Sequence, residues 1–275
     1  MSGVPGGHLG GQRNTAASRP ARRLLVSGNW KMHLDHLQAI TLVQELATHL
    51  APRDDLVEVS VHPAFTSLRA VQVFLDGDDI PLVLGAQNVS FALGGSFTGE
   101  VSASMLSALD VRYVIVGHSE RRRLFAETDA IVNEKIHAVH AAGMTPICCV
   151  GDTLEARERG ANDDLVVDQV GAALQRVPAD AATGMVIAYE PLWAIETGQR
   201  VDPEDAQAVC AAIRDAVADL FDEHVAQALR VQYAGSVEPE NAGVFFAQPD
   251  IDGALIGEAS LDAAHFAAIA AAASP

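Results

Sequence analysis

Cysteine, positive charge and long apolar runs are all scarce in this sequence, and each scarcity removes a class of protein. The three cysteines are Cys148, Cys149 and Cys210. They cannot all pair with one another and their spacing fits no zinc motif, so neither a disulfide scaffold nor a metal site is expected, and a reducing cytoplasm suits the chain. Lysine and arginine number 18 against 36 aspartates and glutamates, a net charge of −18. That balance repels nucleic acid and anionic membrane surfaces at long range. It leaves room for a small anionic substrate, because a pocket can be locally positive and rich in backbone N–H donors inside an acidic shell. No stretch approaches the roughly 18 apolar residues of a membrane span. The alanine-rich end, residues 263–273, contains His265 and reads as a terminal helix. Residues 1–22, rich in Gly, Ser, Arg and Pro, lack the apolar centre of a secretory signal and are read as a disordered tail.

What is present is a chain of 275 residues, 49% hydrophobic, and α/β barrels of about 250 residues form single domains. From Leu24 onward short β-branched runs alternate with stretches of helical period, the pattern of βα units around a parallel sheet. Eight strands are predicted, at Leu24–Gly28, Val57–Val61, Leu82–Ala86, Tyr113–Gly117, Thr145–Val150, Met185–Tyr189, Val231–Ala234 and Gly253–Ile256. Helices are predicted at Leu37–Leu50, Ala130–Ala142, Leu165–Arg176, Glu204–Leu220 and Pro239–Ala247. Asp202-Pro203-Glu204 supplies a capping residue, a first-turn proline and an acid in sequence.

Spacing alone does not choose between an open sheet and a closed barrel, but the placement of polar residues does. Asn29 and Lys31 follow the first strand, His118 the fourth, Glu190 the sixth, Gly235-Ser236 the seventh and Gly257 the eighth. A barrel collects chemistry on the loops after many strands, whereas an open sheet gathers it at one switch point. No Gly-x-Gly-x-x-Gly turn follows the first strand, which weighs further against dinucleotide binding. A closed (β/α)8 barrel over residues 23–275, a single domain, is therefore expected.

Glu190 directly follows an apolar strand, which should aim its carboxylate over the barrel mouth. A partly desolvated carboxylate is a stronger base for a carbon-bound proton. Taken singly, a surface acid at a loop start is the lesser alternative. His118 precedes Ser119-Glu120-Arg121, a helix start with a serine capping signal. Positive potential at a helix N-terminus favours an uncharged imidazole able to donate a hydrogen bond to a developing oxyanion; a structural histidine is the plainer alternative. Lys31 could attract a phosphate dianion and stabilise charge on substrate oxygen, or lie solvated on the surface. Gly235-Ser236 and Gly257 would expose backbone N–H groups of the kind that cradle phosphate.

Four segments carry a family resemblance: Gly28-Asn29-Trp30-Lys31-Met32, Gly117-His118-Ser119-Glu120-Arg121-Arg122, Ala188-Tyr189-Glu190-Pro191-Leu192-Trp193-Ala194-Ile195 and Gly235-Ser236-Val237. They resemble, in order, the signature segments of the triosephosphate isomerase family. Gly85-Ala86-Gln87-Asn88 and residues 96–102 extend the likeness from Leu24 to the C-terminal helix. The resemblance implies a TIM barrel that isomerises a small sugar phosphate without metal or organic cofactor. It implies Glu190 as the base, with His118, Lys31 and Asn29 stabilising an enediolate, a pairing of glutamate and neutral histidine established for the family. It also implies a lid over Pro191–Gly198 that includes Trp193, although a buried aromatic is an equal reading of that tryptophan. Glu120 would hold Lys31, Ser119 would support the site, and Cys149 would pack beside it. Phosphate would be bound around Glu196, Ser236, Gly257 and Glu258. The family's usual homodimer, in which the loop around Ser96–Gly99 enters the neighbouring subunit, is implied as well.

Two departures add negative charge where the family binds phosphate: Glu196 and Glu258 stand where glycines are usual. A carboxylate within about 6 Å of a phosphate dianion repels it by around 1 kcal/mol unless it turns to solvent. A raised KM is expected. Ala234 and Asp152 are smaller departures, from glycine and glutamate respectively. Two other readings are carried: a paralogue acting on a four-carbon ketose phosphate such as erythrulose phosphate, and a barrel that has lost catalysis and serves as a scaffold.

Overall fold

A computed structural model describes residues 22–50, 57–78, 80–160 and 162–273. Residues 1–21 of the predicted tail lie outside the described residues. Arg22 is tied to the barrel, its guanidinium donating to Asp252 Oδ1 at 2.8 Å, Gln227 Oε1 at 2.9 Å and the Pro249 carbonyl at 2.8 Å.

The strands are β1 (Leu24–Asn29), β2 (Val57–His62), β3 (Val83–Ala86), β4 (Tyr113–Val116), β5 (Thr145–Asp152), β6 (Val186–Pro191), β7 (Arg230–Tyr233) and β8 (Gly253–Ile256). All neighbours pair in parallel in chain order, and β8 returns to β1 through Leu25↔Gly253 to close the barrel. The closed barrel expected from the scatter of polar residues is what forms. Each predicted strand is found within two residues at either end.

Two predicted helices differ more. The one placed at 165–176 runs Asn162–Ala173, its acidic residues 163 and 164 forming a first turn that suits the helix dipole. The one placed at 239–247 is cut to Ala242–Phe246, because the Asn241 side chain accepts from the Glu238 N–H at 2.8 Å and holds the preceding residues in a turn. Asp202 stands at the N-cap of Pro203–Leu220, but its side chain makes no capping bond. The proline at N1 has no N–H, so the helix has one fewer unpaired donor in its first turn.

Alternation along the strands sorts side chains between two cores. Leu25, Tyr113, Ile115, Ile147, Cys149, Val186, Ala188 and Leu255 pack inside the barrel. A larger cluster, with Trp30, Leu46, Leu68, Ile136 and Phe266, fills the space between sheet and helices. Each fully buried Leu or Ile contributes about 1.5–3 kcal/mol.

The barrel interior also holds two polar layers. At the floor, the Tyr113 hydroxyl donates to Glu58 Oε2 at 2.9 Å, and Arg230 donates to the same oxygen at 3.0 Å and to the Tyr113 oxygen at 2.7 Å. Arg112 adds a contact to Glu58 Oε1 at 3.2 Å. Above it, the Gln232 amide donates to Ser27 Oγ at 2.9 Å, the Ser27 and Ser60 hydroxyls lie 2.9 Å apart, and Ser60 Oγ lies 3.1 Å from His62 Nε2. His62 Nδ1 faces the Ala86 carbonyl at 3.2 Å. A carbonyl only accepts, so Nδ1 carries the proton, and Nε2 faces Ser60 Oγ unprotonated. The His62 ring fills the place of a side chain at Gly85, where a Cβ would come within 2.2 Å of it.

Candidate active site

The period of two that puts Val186 and Ala188 inside the barrel carries Glu190 to the innermost position at its mouth. Glu190 is only 3% exposed. Its Oε2 accepts from the Ser119 N–H at 2.9 Å and its Oε1 from the Ser119 hydroxyl at 2.6 Å. His118 Nε2 lies 3.4 Å from Oε1. Beneath them Cys149 is fully buried, and burial, reinforced by the Glu190 charge, pushes its thiol well up. A thiol held protonated is a poor nucleophile.

Gly117, at φ 69°, turns the chain sharply out of β4 into the helix Ser119–Phe125. The serine expected to cap this helix does not do so. His118 is the N-cap, its Nδ1 accepting from the Glu120 N–H at 3.2 Å, and Ser119 is free to hold Glu190 instead. That bond fixes the tautomer: Nδ1 is an acceptor, so the neutral ring carries its proton on Nε2, on the side of Glu190.

Asn29 continues the inner face of β1 and is buried; its Oδ1 accepts from the Lys31 N–H at 3.1 Å. Lys31 adopts φ 50°, a left-handed conformation a side chain disfavours. It is held there by that bond and by the Gln87 amide, which donates to the Lys31 carbonyl at 2.7 Å and to the His62 carbonyl at 2.8 Å. Lys31 Nζ then reaches Glu120 Oε1 at 2.7 Å. Burial alone would raise the Glu120 carboxyl, but the hydrogen bond from Lys31 and the surrounding positive charge hold it below the usual carboxylate range.

A cleft of about 1030 Å³ opens over these groups, lined by Asn29, Lys31, His118 and Glu190 on one side and by the loops after β7 and β8 on the other. The residues predicted at the strand ends therefore share one space. Gly257 borders Lys31 closely: a Cβ there would sit 3.5 Å from Lys31 Cε. Gly235 is required by its own strand, since a Cβ would come within 2.1 Å of the Tyr233 hydroxyl. Ser236 and Glu258 also line the cleft and are solvent-exposed. Glu196 lies in the helix Leu192–Thr197, and its side chain is outside what is described.

Trp193, in the same helix, is 4% exposed and lies under the Arg157 guanidinium at 4.0 Å. Asp152 is fully buried and accepts from the Tyr189 hydroxyl at 2.8 Å. Arg123 and Leu255 also line the cleft and were not singled out in the sequence. Alternation along β8 marks Leu255; nothing in the sequence marks Arg123.

Comparison with known proteins agrees with this geometry. The family described as triosephosphate isomerase matches residues 24–273. The chain is 50% identical over 249 residues to the triosephosphate isomerase of Streptomyces coelicolor, covering 90% of this chain and 96% of that protein. It is 51% identical over 251 residues to that of Streptomyces avermitilis, covering 91% and 97%. Against the triosephosphate isomerase of Cutibacterium acnes it is 48% identical over 252 residues, covering 90% and 97%.

Proposed function

The chain belongs to the triosephosphate isomerase family, and on that premise we propose how its cleft carries out the reaction. The activity is that of a triose-phosphate isomerase, the glycolytic interconversion of dihydroxyacetone phosphate and D-glyceraldehyde 3-phosphate. Glu190 takes a proton from the carbon beside the substrate carbonyl, leaving an enediolate, and returns it to the neighbouring carbon. Its two bonds to Ser119 make the present pose a resting one, which the carboxylate leaves when substrate arrives. The His118 Nε2–H donates to the oxygen that gains charge, and the Lys31 ammonium and Asn29 amide face the same oxygens. A glutamate base working with an uncharged histidine is the family's established pairing.

The loops at Gly235-Ser236 and Gly257-Glu258 receive the phosphate through backbone N–H groups. Glu258 weakens that binding, its exposure limiting the effect. Residues 191–198, with Trp193 as an anchor and the half-exposed Ile195 at the tip, act as the lid that excludes water from the enediolate.

The observation that carries this reading is the approach of His118 Nε2 to Glu190 Oε1 at 3.4 Å, from separate strand ends into the cleft that Lys31 also lines. A coupled assay with glyceraldehyde 3-phosphate tests it. The wild type turns over rapidly and Glu190→Asp is slower by at least about 100-fold; equal rates would refute the assignment of the base. The relatives carry the triose name, and no observation favours the four-carbon ketose phosphate or a scaffold.

The working form is a homodimer in the cytoplasm. Supporting this, Phe91, Leu93 and Phe97 are 43%, 81% and 47% exposed on a loop whose Gly94, Gly95 and Gly99 have positive φ. An apolar tip of that kind marks an interface. The three cysteines are all free and buried. Among the described residues no helix is long and apolar enough to cross a membrane.

A further inference from the structure

β4 stops at Val116, whose partner on β5 is Cys148. β5 continues to Asp152, paired from there on with β6 alone through Cys149↔Ala188, Val150↔Tyr189, Gly151↔Glu190 and Asp152↔Pro191. The last turn of β5 thus has a ladder on one side and none on the side β4 has left. A buried backbone in that position must find other partners.

Gln169, on the inward face of Asn162–Ala173 between the buried Val166 and Val170, provides them. The Gly151 N–H donates to Gln169 Oε1 at 2.9 Å, and Gln169 Nε2 donates to the Gly151 carbonyl at 3.0 Å. One carboxamide therefore does for Gly151 what a neighbouring strand would do. Bonds to both the N–H and the C=O of Gly151 hold the two peptide planes that flank it. Gly151 is also the surface on which the base rests: a Cβ there would lie 2.4 Å from the Glu190 carbonyl, 3.2 Å from Glu190 Cβ and 3.2 Å from Leu192 Cγ. The clamp sits directly behind both the base and the first residue of the lid helix.

We propose that Gln169 is a positioning residue for Glu190, its amide clamp on Gly151 setting the direction from which the carboxylate meets the substrate. The proposal rests on Glu190 being the base. Gln169 touches no part of the cleft, so its effect falls on the chemical step and not on binding.

The test is a double-mutant cycle on purified, folded protein, with melting temperature recorded for each variant. Gln169→Met keeps the length and removes both bonds; kcat falls about tenfold while KM stays within about twofold. Gln169→Glu keeps an acceptor for the Gly151 N–H but sets a carboxylate against its carbonyl, and lowers kcat at least as far. In a Glu190→Asp background, where the carboxylate is already withdrawn, Gln169→Met lowers kcat by less than about twofold more. In a Lys31→Ala background it costs the full tenfold. Two results overturn the proposal: both Gln169 variants with wild-type kcat, or equal losses in the Glu190→Asp and wild-type backgrounds. A Glu190→Asp variant with undiminished kcat overturns the base assignment itself.

Discussion

At the floor of the barrel a carboxylate, a phenol and two guanidiniums hold one another, whereas at the mouth a carboxylate, an imidazole and an ammonium line an open cleft. Glu58, Tyr113 and Arg230 close a triangle of bonds of 2.7–3.0 Å. Burial pushes the Glu58 carboxyl up, yet Arg230 and Arg112 outweigh it and hold it below the usual range. At the mouth, Glu190 is held by Ser119 and approached by His118, and Lys31 by Glu120, contacts that a bound substrate replaces in the proposed mechanism. On the proposed reading, the same residue types serve stability where their partners are permanent and chemistry where they can be exchanged.

Substitutions at the two ends should therefore separate. The largest effect is expected from Glu190→Gln, which keeps the shape of the side chain and removes the base: kcat falls by about 1000-fold or more, with a melting temperature close to that of the wild type. A large drop in melting temperature would make Glu190 a floor-type residue. Arg230→Met should do the reverse. It strips Glu58 and Tyr113 of their shared partner and lowers unfolding free energy by about 3–5 kcal/mol, with kcat of the folded fraction unchanged; chemical denaturation and kinetics on one sample check both.

His62, in the polar layer between the two ends, predicts a pH dependence. Burial pushes its pKa from 6.5 down to about 4, the bond to Ala86 offsetting only part of this. The unfolded chain therefore binds a proton that the folded chain refuses, and stability falls as pH drops from 6.5 to about 4. The loss amounts to about 3 kcal/mol at most. His62→Leu removes that slope in urea titrations; an unchanged slope would assign the acid sensitivity elsewhere. The smallest effect is expected from Glu258→Gly, which lowers KM for glyceraldehyde 3-phosphate by about two- to fivefold, roughly 1 kcal/mol or less for an exposed charge.

The two ends also differ in how far they could be read from sequence. The mouth was legible because its residues sit in short local segments: Gly117-His118-Ser119 turns out of one strand, and Glu190-Pro191 ends another. The strands were legible because each is a brief apolar run bounded by turn residues. The floor was not, since Glu58 and Arg230 are 172 positions apart and meet only because the barrel closes. Gln169 was hidden for a related reason: a glutamine inside a helix reads as a solvated face until β4 is seen to stop short of β5. The exchange of roles between His118 and Ser119 depended on a single ring nitrogen accepting a backbone N–H. Capping preferences, which favour serine, pointed to the wrong residue.

The most direct test of the central claim follows the proton itself. Dihydroxyacetone phosphate is incubated in deuterium oxide with the purified chain or its Glu190→Gln variant, and deuterium on substrate carbon is read by nuclear magnetic resonance. The wild type should label the carbon rapidly, and Glu190→Gln should leave it unlabelled over the same time. Labelling by the variant at the wild-type rate would show that another group moves the proton.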